Sequence, residues 1–211
     1  AGSLNFEATN SYTLTIRAGF PAADGFTLGA PVTNSFTFEP MAARAYLPAF
    51  SAEQLSSGRR KFEFLSVNCS NLTLTARRNE PANLVHVLRG YGSYGSRNRS
   101  KEPTPLDLNV VPGETVFGTN FPGRPPLDEA VRHEFDWTDL LGGRTHGTAI
   151  IETDNNLLSD EWGRRSNTVA QTLIQLTDLG LLWKRGEDET LVWCFSYANG
   201  QPVADAKVAL V

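Results

Sequence analysis

Alternation of apolar and polar residues, with a period of two, is the strongest constraint on what this chain can fold into. In residues 12–17 (Tyr-Thr-Leu-Thr-Ile-Arg) every second residue is apolar, and residues 34–39 repeat the pattern with two phenylalanines. Successive side chains of a β-strand point to opposite faces of its sheet, so each run has one apolar face. Further alternating runs cover 61–64, 72–77, 146–153, 170–176, 179–184, 190–197 and 206–210. Many short strands separated by Gly, Pro, Asn and Asp turns predict an all-β fold, an antiparallel β-sandwich.

The alternation changes phase once, within one long apolar run. Phe62 and Phe64 fall on one face of the predicted strand, whereas Leu65, Val67 and Cys69 fall on the other. A change of phase moves side chains to the wrong face unless an extra residue is accommodated. We therefore predict a β-bulge near Phe64 and Leu65.

Helical signals are few, and both lie between predicted strands. Residues 82–89 follow Asn79 as a candidate cap and Pro81 in the first turn, and Gly90 is the expected stop. Residues 136–143 fit a single helical turn that begins at an aspartate and ends at a glycine pair. We expect one or two short helices that connect strands.

Three segments have the composition of linkers or loops. Residues 40–50 contain two prolines among small residues and are expected to be a linker at a domain boundary. Residues 90–105 are rich in glycine and serine and are expected to be the most mobile segment. Residues 119–126 contain three prolines and are expected to form an irregular exposed loop.

The two ends of the chain do not contain enough strands to form domains of their own. Residues 1–42 are predicted to be the last strands of one domain, 43–177 a complete sandwich, and 178–211 the first three strands of the next domain. The last part has an apolar face that needs a second layer, formed by Leu191, Trp193, Phe195 and Tyr197. We therefore expect a piece of a longer multidomain chain. The alternative is that both ends complete the sheets of the central domain.

Charge and composition limit the kinds of partner that this chain is expected to bind. With 211 residues and a formal net charge of −4, the chain is not expected to bind nucleic acid or an anionic membrane. No run approaches the roughly 20 apolar residues that a membrane span needs. Residues 1–5 have neither the basic nor the apolar part of a signal peptide. Cys69 and Cys194 permit one disulfide bond but do not require it.

No catalytic or metal-binding motif is present. His86, His133 and His146 lie far apart in sequence and are expected on turns or strand surfaces. An acidic run at 154–161 lacks the glycine and the glutamate that a calcium loop of the EF-hand type requires. Neither cysteine has a nearby histidine. We therefore predict a chain that is not an enzyme and that has no catalytic residue, metal or cofactor.

Two groups of residues are candidates for an interaction surface. Trp183, with the aromatic residues of 193–197, could line a sugar-binding face, although this spacing is also typical of a core or of packing between domains. Tyr91 and Tyr94 are interleaved with Arg97 and Arg99, a combination that can contact a polyanion. The alternative for this second group is a solvated loop.

The C-terminal third resembles bacterial α2-macroglobulin-like proteins. Thr-Asp-Leu-Gly-Leu at 177–181 matches one strand of that family, and Leu-Val-Trp at 191–193 matches its Leu-Val-Trp-Val strand. Residues 200–206 match its Gly-Lys-Pro-Val-x-Gly-Ala turn, with Gln201 in place of lysine and Asp205 in place of glycine. Cys194 replaces the second valine of the strand. Weaker likenesses follow in order along the chain, in 11–38 to a bacterial immunoglobulin-like domain and in 63–75 and 136–147 to macroglobulin strands. The resemblance therefore implies the C-terminal strands of an immunoglobulin-like domain at 1–42, a macroglobulin-like sandwich at 43–177 and the first strands of the next macroglobulin-like domain at 178–211.

The resemblance implies macroglobulin domains, which are sandwiches of immunoglobulin-like or fibronectin-III-like type, from a large periplasmic or secreted (cell-envelope) endopeptidase inhibitor. In that family, cleavage of a bait region triggers a rearrangement, and many members capture the protease through a Cys-x-Glu-Gln thioester. Neither cysteine of this chain is followed by Glu-Gln. The resemblance therefore implies a non-catalytic structural segment, with neighbouring macroglobulin domains as direct partners and target proteases as partners of the parent protein. The alternative is an extracellular adhesin or a carbohydrate-binding sandwich.

Overall fold

The computed structural model describes residues 7, 9–48, 53–54, 58–95, 105–123, 125–155 and 169–208, with backbone alone at 53–54 and 91–95. Strands predominate in these ranges. They are β1 (Ser11–Ile16), β2 (Val32–Thr37), β3 (Arg44–Tyr46), β4 (Glu53–Gln54), β5 (Lys61–Val67), β6 (Leu72–Asn79), β7 (Glu114–Phe121), β8 (Ala130–Asp136), β9 (Gly147–Asp154), β10 (Val169–Leu176), β11 (Leu179–Arg185) and β12 (Thr190–Ser196). The helices are α1 (Leu84–Gly95), α2 (Trp137–Leu140) and a 3₁₀ turn at Pro81–Asn83.

The central part of the chain is a two-sheet sandwich. One sheet has the strand order β4-β10-β9-β6-β7 and the other the order β3-β5-β8. All pairs are antiparallel except the short β4–β10 pair, which is parallel. The strand pairs β1–β2 and β11–β12 form separate two-stranded sheets before and after it. The predicted antiparallel β-sandwich is confirmed.

The main core fills the space between the two sheets. Alternate residues of β5, β6, β9 and β10 point into it, and α2 closes one side with three fully buried residues. The buried members are Phe62, Phe64, Cys69, Leu72, Leu74, Ala76, Trp137, Leu140, Leu141, Ala149, Ile151, Ile174 and Leu176. Because both sheets contribute, the sandwich has the packed interior that makes such a domain rigid.

A second, smaller core lies on the other face of the five-stranded sheet. Val87 of α1 and Val111 pack there against Ile150 of β9 and Leu173 of β10. Segment 105–111 is held in place because Gln171 exchanges hydrogen bonds of 2.8 and 2.6 Å with the backbone of Leu106. This sheet is therefore covered on both faces, and α1 is part of the packing as well as a connection.

The predicted bulge near Phe64 and Leu65 is wrong. Strand β5 pairs with β8 without interruption from Lys61 to Val67. Leu65 is exposed, and Ser66 is the inward-facing residue at that position. The register shift lies instead between Ala76 and Arg77, where β6 pairs with β7. The prediction was wrong because polar Ser66 occupies an inward-facing position at which the alternating pattern led us to expect an apolar residue.

One helix prediction is corrected and the other is confirmed. Asn79 is not a cap, since it belongs to β6 and its Nδ2 donates to the carbonyl of Pro112 at 2.9 Å. Helix α1 does not stop at Gly90 but continues to Gly95. In α2 the Asp136 carboxylate accepts from the Thr138 N–H at 2.8 Å, as predicted for a cap.

The predicted loops are partly ordered. Residues 44–46 of the expected linker form β3, an edge strand of the sandwich, and residues 119–121 belong to β7. Residues 90–95 are helical, whereas 96–104 lie outside the described residues. Strands β3, β4, β7 and β8 were not predicted. Of the predicted strand at 206–210, residues 206–208 are not in a strand and the rest lie outside the described residues.

Candidate interdomain docking faces

The β1–β2 hairpin has one polar face made of hydroxyl groups. Its register places three Ser/Thr pairs directly opposite one another across the two strands. Their oxygen atoms lie 3.1 to 3.2 Å apart in the pairs Ser11–Thr37, Thr13–Ser35 and Thr15–Thr33. Hydroxyl groups remain satisfied in water, so this face suits solvent.

The opposite face of the same hairpin is apolar and aromatic. The rings of Tyr12, Phe36 and Phe38 contact one another, with centroids 5.5 to 6.2 Å apart. Leu14 and Val32 extend the patch, and they and both phenylalanines are exposed. A sheet with one hydroxyl face and one aromatic face is half of a sandwich, so we infer that a second apolar layer covers the aromatic face.

The β11–β12 hairpin is apolar on both faces. Its register pairs Leu181 with Cys194, Leu182 with Trp193 and Trp183 with Val192, so these pairs alternate between faces. The apolar residues of the Trp183 face are Leu179, Leu181, Trp183 and Val192, and the register also places Arg185, Thr190, Cys194 and Ser196 on this face. The apolar residues of the Trp193 face are Leu182, Leu191, Trp193, Phe195 and Tyr197, and Gly180 and Lys184 share this face. Trp183 is 68% exposed and Trp193 is 51% exposed.

The hairpin is closely packed at the end where β11 begins and β12 ends. The Phe195 ring lies over Gly180, where an added Cβ would come within 2.5 Å of the ring. Tyr197 packs against Phe195 with centroids 5.3 Å apart. After β12 the chain turns back, and the Val203 N–H donates to the Cys194 carbonyl at 3.0 Å. The sheet therefore extends at 201–203, earlier than the sequence predicted.

Cys69 and Cys194 do not form a disulfide bond. Cys69 is buried in the main core, and its burial raises the pKa of the thiol. Cys194 lies half-buried in β12. Both are free thiols in this structure.

The junction between β2 and the sandwich is fixed by a clasp of Asn68, Asp128 and the backbone of Met41. Asn68 Nδ2 donates to the Met41 carbonyl and to Asp128 Oδ1, both at 2.7 Å. The Asp128 N–H donates to Asn68 Oδ1 at 2.7 Å, and the Met41 N–H donates to Asp128 Oδ1 at 2.8 Å. Asn68 and Asp128 both have positive φ, of 54° and 60°, which Asn and Asp tolerate better than most residues. The junction that was expected to be a flexible linker is therefore held by four hydrogen bonds.

Replacing Asn68 with alanine should lower the free energy of unfolding by about 2–3 kcal/mol, because three hydrogen bonds are lost and alanine disfavours positive φ. Chemical denaturation of the purified chain measures this. Asn71→Ala is the matched control, since Asn71 also has positive φ (57°) but an exposed side chain, and it should cost only about 1 kcal/mol. Equal costs for the two variants would show that the clasp does not contribute.

The junction between the sandwich and β11 is centred on Asp178. His146 Nε2 lies 3.3 Å from Asp178 Oδ2. The Tyr197 N–H donates to the Asp178 carbonyl at 2.8 Å, and the Leu179 N–H donates to Thr177 Oγ1 at 3.0 Å. One residue therefore connects the end of the sandwich with both strands of the following hairpin.

The structure describes one of the five predicted interaction residues in full. Trp183 lies on β11 with its ring exposed, and it is not buried in a core. Tyr91 and Tyr94 lie in α1, where the backbone alone is described. Arg97 and Arg99 lie outside the described residues, so the basic and aromatic cluster stays a prediction.

Sequence reasoning missed a serine–histidine pair inside the sandwich. Ser66 Oγ lies 2.8 Å from His133 Nε2, and the imidazole stacks on Phe64 with centroids 4.6 Å apart. His133 is thus an inward-facing, half-buried residue and not a surface histidine. Ser66 is only 3% exposed, so its hydroxyl group cannot reach a substrate. The pair satisfies two polar groups in an apolar interior, which is a structural role.

Burial lowers the pKa of His133 below the ordinary value of 6.5, so folding favours the neutral ring. Below about pH 6.5 the unfolded chain binds a proton that the folded chain resists, and stability falls as the pH falls toward the folded pKa. We expect His133→Gln to flatten this part of the curve of unfolding free energy against pH. His86→Gln, at an exposed position on α1, is the control for the His-to-Gln substitution itself.

A shallow groove of about 470 Å³ lies between segment 105–109 and the outer face of the five-stranded sheet. Burial raises the pKa of its Glu152 carboxyl group, which accepts a hydrogen bond from Gln171. Arg77 also borders the groove, and its Nε donates to the Val111 carbonyl at 2.7 Å. Arg77 and Gln171, which border or adjoin the groove, therefore hold segment 105–111 on the sheet.

The site defined by this geometry is a set of exposed apolar sheet faces that come before and after a packed sandwich in the chain. Within the described residues, no helix is both long and apolar enough to cross a membrane. Among the same residues, no cluster of three or more His, Cys, Asp or Glu side chains could hold a metal ion.

Solved structures of bacterial α2-macroglobulins share this fold. A crystal structure of native Escherichia coli α2-macroglobulin spanning domains MG0-NIE-MG1 covers 94% of this chain with a TM-score of 0.55 and 17% identity. One spanning NIE-MG1 covers 76% with a TM-score of 0.53 and 16% identity. A cryo-EM reconstruction of the native E. coli protein covers 94% with a TM-score of 0.57 and 15% identity. The likeness is one of fold.

This chain spans 60% of the three-domain E. coli structure and 12% of the chain in the cryo-EM reconstruction. No protein-family model matches the sequence, and no curated protein sequence matches it.

Proposed function

We propose that this chain is a non-catalytic structural segment of a large α2-macroglobulin-like endopeptidase inhibitor. The observation that carries the proposal is the shared fold over 94% of the chain, in which a packed sandwich is flanked by hairpins with exposed apolar faces. Such faces are stable in water only when another layer covers them, so the segment belongs between other domains.

The domain division proposed for the segment is 1–42, 43–177 and 178–211. When the compared E. coli structure lacks MG0, the covered share of this chain falls from 94% to 76%. The loss is close to the share of the chain in residues 1–42, which supports their assignment to the end of an MG0-like domain. By the same order, the sandwich corresponds to NIE and the C-terminal hairpin to the start of MG1.

In this role the sandwich is a spacer that holds its neighbours at fixed positions. The Asn68 clasp holds the chain at Met41, just after the preceding hairpin, and Asp178 accepts a hydrogen bond from Tyr197 at the end of the following one. The direct partners are neighbouring macroglobulin domains, and target proteases are partners of the parent protein. The parent is placed in the periplasm or outside the cell, where an inhibitor of this class meets foreign proteases.

The test compares the 211-residue chain with its full-length parent in a protease assay that uses a large protein substrate. The parent should inhibit cleavage at a defined stoichiometry, whereas the isolated chain should neither inhibit nor hydrolyse. Inhibition by the isolated chain would contradict the proposal that this segment is structural and that only the parent protein inhibits proteases. A parent without inhibitory activity would contradict the proposed class.

One observation favours a second candidate, a carbohydrate-binding module. The Trp183 ring is 68% exposed on a strand, where it could stack on a sugar. A glycan array probed with the wild type and with Trp183→Ala tests this candidate. Binding that is lost in the variant would support it, and a wild-type chain that binds no glycan would exclude it for the glycans tested.

A further inference from the structure

The Trp183 face differs in chemistry from the two other outer sheet faces of this molecule. The outer face of β1–β2 is the hydroxyl ladder described above. The outer face of the three-stranded sheet carries ion pairs, among them Arg59–Glu134 at 3.0 Å and Arg132–Glu63 at 3.3 Å. Both of those faces suit water. The Trp183 face has leucine, tryptophan and valine at the equivalent positions.

We propose that the Trp183 face is a docking surface for an apolar β-sheet layer contributed by another domain of the same parent chain. This inference rests on the proposed function, in which the Trp193 face is covered by the second sheet of its own domain. A hairpin with only one covered face needs one apolar face, as β1–β2 illustrates. The second apolar face therefore needs a second cover.

The immediate surroundings of Trp183 favour a dry protein contact. Leu179 and Leu181 lie four and two residues away on the same strand and face, and Val192 lies directly opposite. Leu181 is 59% exposed and Leu179 51%, so substantial apolar surface is available for burial. A sugar-binding platform surrounds its ring with polar groups that bond the hydroxyls, whereas Trp183 has leucine and valine beside it and Arg185 and Thr190 only on the side toward the tip of the hairpin.

The tip of the hairpin argues against a lipid bilayer. Residues 184–189 read Lys-Arg-Gly-Glu-Asp-Glu, so three acidic side chains stand at the end that would enter a membrane first. Burying these five charged side chains in hydrocarbon is costly, and because two basic and three acidic groups leave a net charge of −1, the tip as a whole is not attracted to anionic headgroups. The charges instead suit a hairpin whose body is covered and whose tip stays in water.

The length of the compared E. coli protein favours another domain of the same parent chain as the layer that covers the Trp183 face. It does not favour a second copy of this chain in that position. This chain spans 12% of the chain in the E. coli reconstruction, so a parent of similar length has ample further sheet surface. A tethered partner acts at an effective concentration of about 1 mM, so a contact with a Kd of about 0.1 mM is closed roughly nine-tenths of the time. A weak contact is therefore sufficient to keep the Trp183 face covered when its partner is on the same chain.

The experiment is hydroxyl-radical footprinting of the 211-residue chain and of the full-length parent, read by mass spectrometry at Trp183, Trp193 and Phe26. Both tryptophans should be oxidised readily in the isolated chain and about tenfold more slowly in the parent, as that closed fraction implies. Phe26, exposed in the turn between β1 and β2, serves as the reference. In the parent, Leu181→Arg should restore Trp183 oxidation and leave Trp193 protected.

The outcomes separate this inference from the proposed function. Protection of Trp193 without protection of Trp183 in the parent overturns the inference and leaves the proposed function standing. Oxidation of both tryptophans in the parent overturns both. Trp183 protection that appears in the isolated chain as its concentration rises identifies a second copy. Protection that requires vesicles of phosphatidylethanolamine and phosphatidylglycerol identifies a membrane, and either result overturns the inference.

Discussion

Replacing Trp137 with alanine should lower the free energy of unfolding of the sandwich by about 3–5 kcal/mol, among the largest effects of any single substitution in this chain. The Trp137 side chain is completely buried at the start of α2. Its ring packs edge-on against Phe62 of β5, with centroids 5.5 Å apart. Alanine would remove this contact and leave a cavity between α2 and the two sheets, and a dense interior closes such a cavity only in part.

Urea denaturation followed by circular dichroism measures the effect, and Trp183→Ala is its matched control. The same change at this 68% exposed position should alter the stability of the isolated chain by less than about 0.5 kcal/mol. Trp137→Phe should cost less than the alanine variant because it retains most of the buried area. A cost below about 1 kcal/mol for Trp137→Ala would mean that α2 is not part of the core.

The sequence was most informative where alternation was strong. Strands β1, β2, β6, β9 and β10 lie within one or two residues of their predicted positions because each has at least one clearly apolar face, which is buried in β6, β9 and β10 and exposed in β1 and β2. Strand β3 has three residues and β4 two, which is too short for any period to show. These edge strands form because a neighbouring strand offers them free hydrogen-bonding groups, and that is a property of the tertiary structure.

The polar groups inside the sandwich could not be predicted from local pattern. Ser66 occupies an inner position because His133 of β8 supplies its hydrogen bond, and the two residues are 67 positions apart in sequence. The Asn68 clasp likewise depends on Asp128, 60 positions away. A single sequence shows that such residues are polar, but it does not show which partners satisfy them.

The sequence of β11 also indicated that the β11–β12 hairpin has a second apolar face, and the prediction of one apolar face at 191–197 did not take this into account. Leu181, Leu182 and Trp183 are three consecutive apolar residues, and consecutive residues of a strand point to opposite faces. A run of this kind is typical of a strand that is covered on both sides. The prediction of one apolar face at 191–197 was therefore incomplete, and the second face was readable at 179–183.

The Gly113→Ala variant should lower the free energy of unfolding by at least about 3 kcal/mol, because the methyl group has no room beside β6. Gly113 has a φ of 143°, and a Cβ built there would lie 2.2 Å from the carbonyl oxygen of Arg78. Arg78 pairs with Glu114, the first residue of β7. Relieving the clash therefore requires β7 to move away from β6 at the point where their pairing begins.

Gly143→Ala provides the control that separates this clash from backbone strain. Gly143 also has positive φ, of 86°, but nothing lies within 4 Å of the position that a Cβ would occupy, so alanine there should cost only about 1 kcal/mol. Thermal and urea denaturation of the two variants measure the difference, and hydrogen exchange of the β7 amides shows where it arises. We expect Gly113→Ala to expose the amides of 114–117 first, since the displaced end of an edge strand opens most easily. If the two variants lose equal stability, conformational strain alone accounts for the glycine at 113, and the close approach of β6 to residue 113 does not contribute.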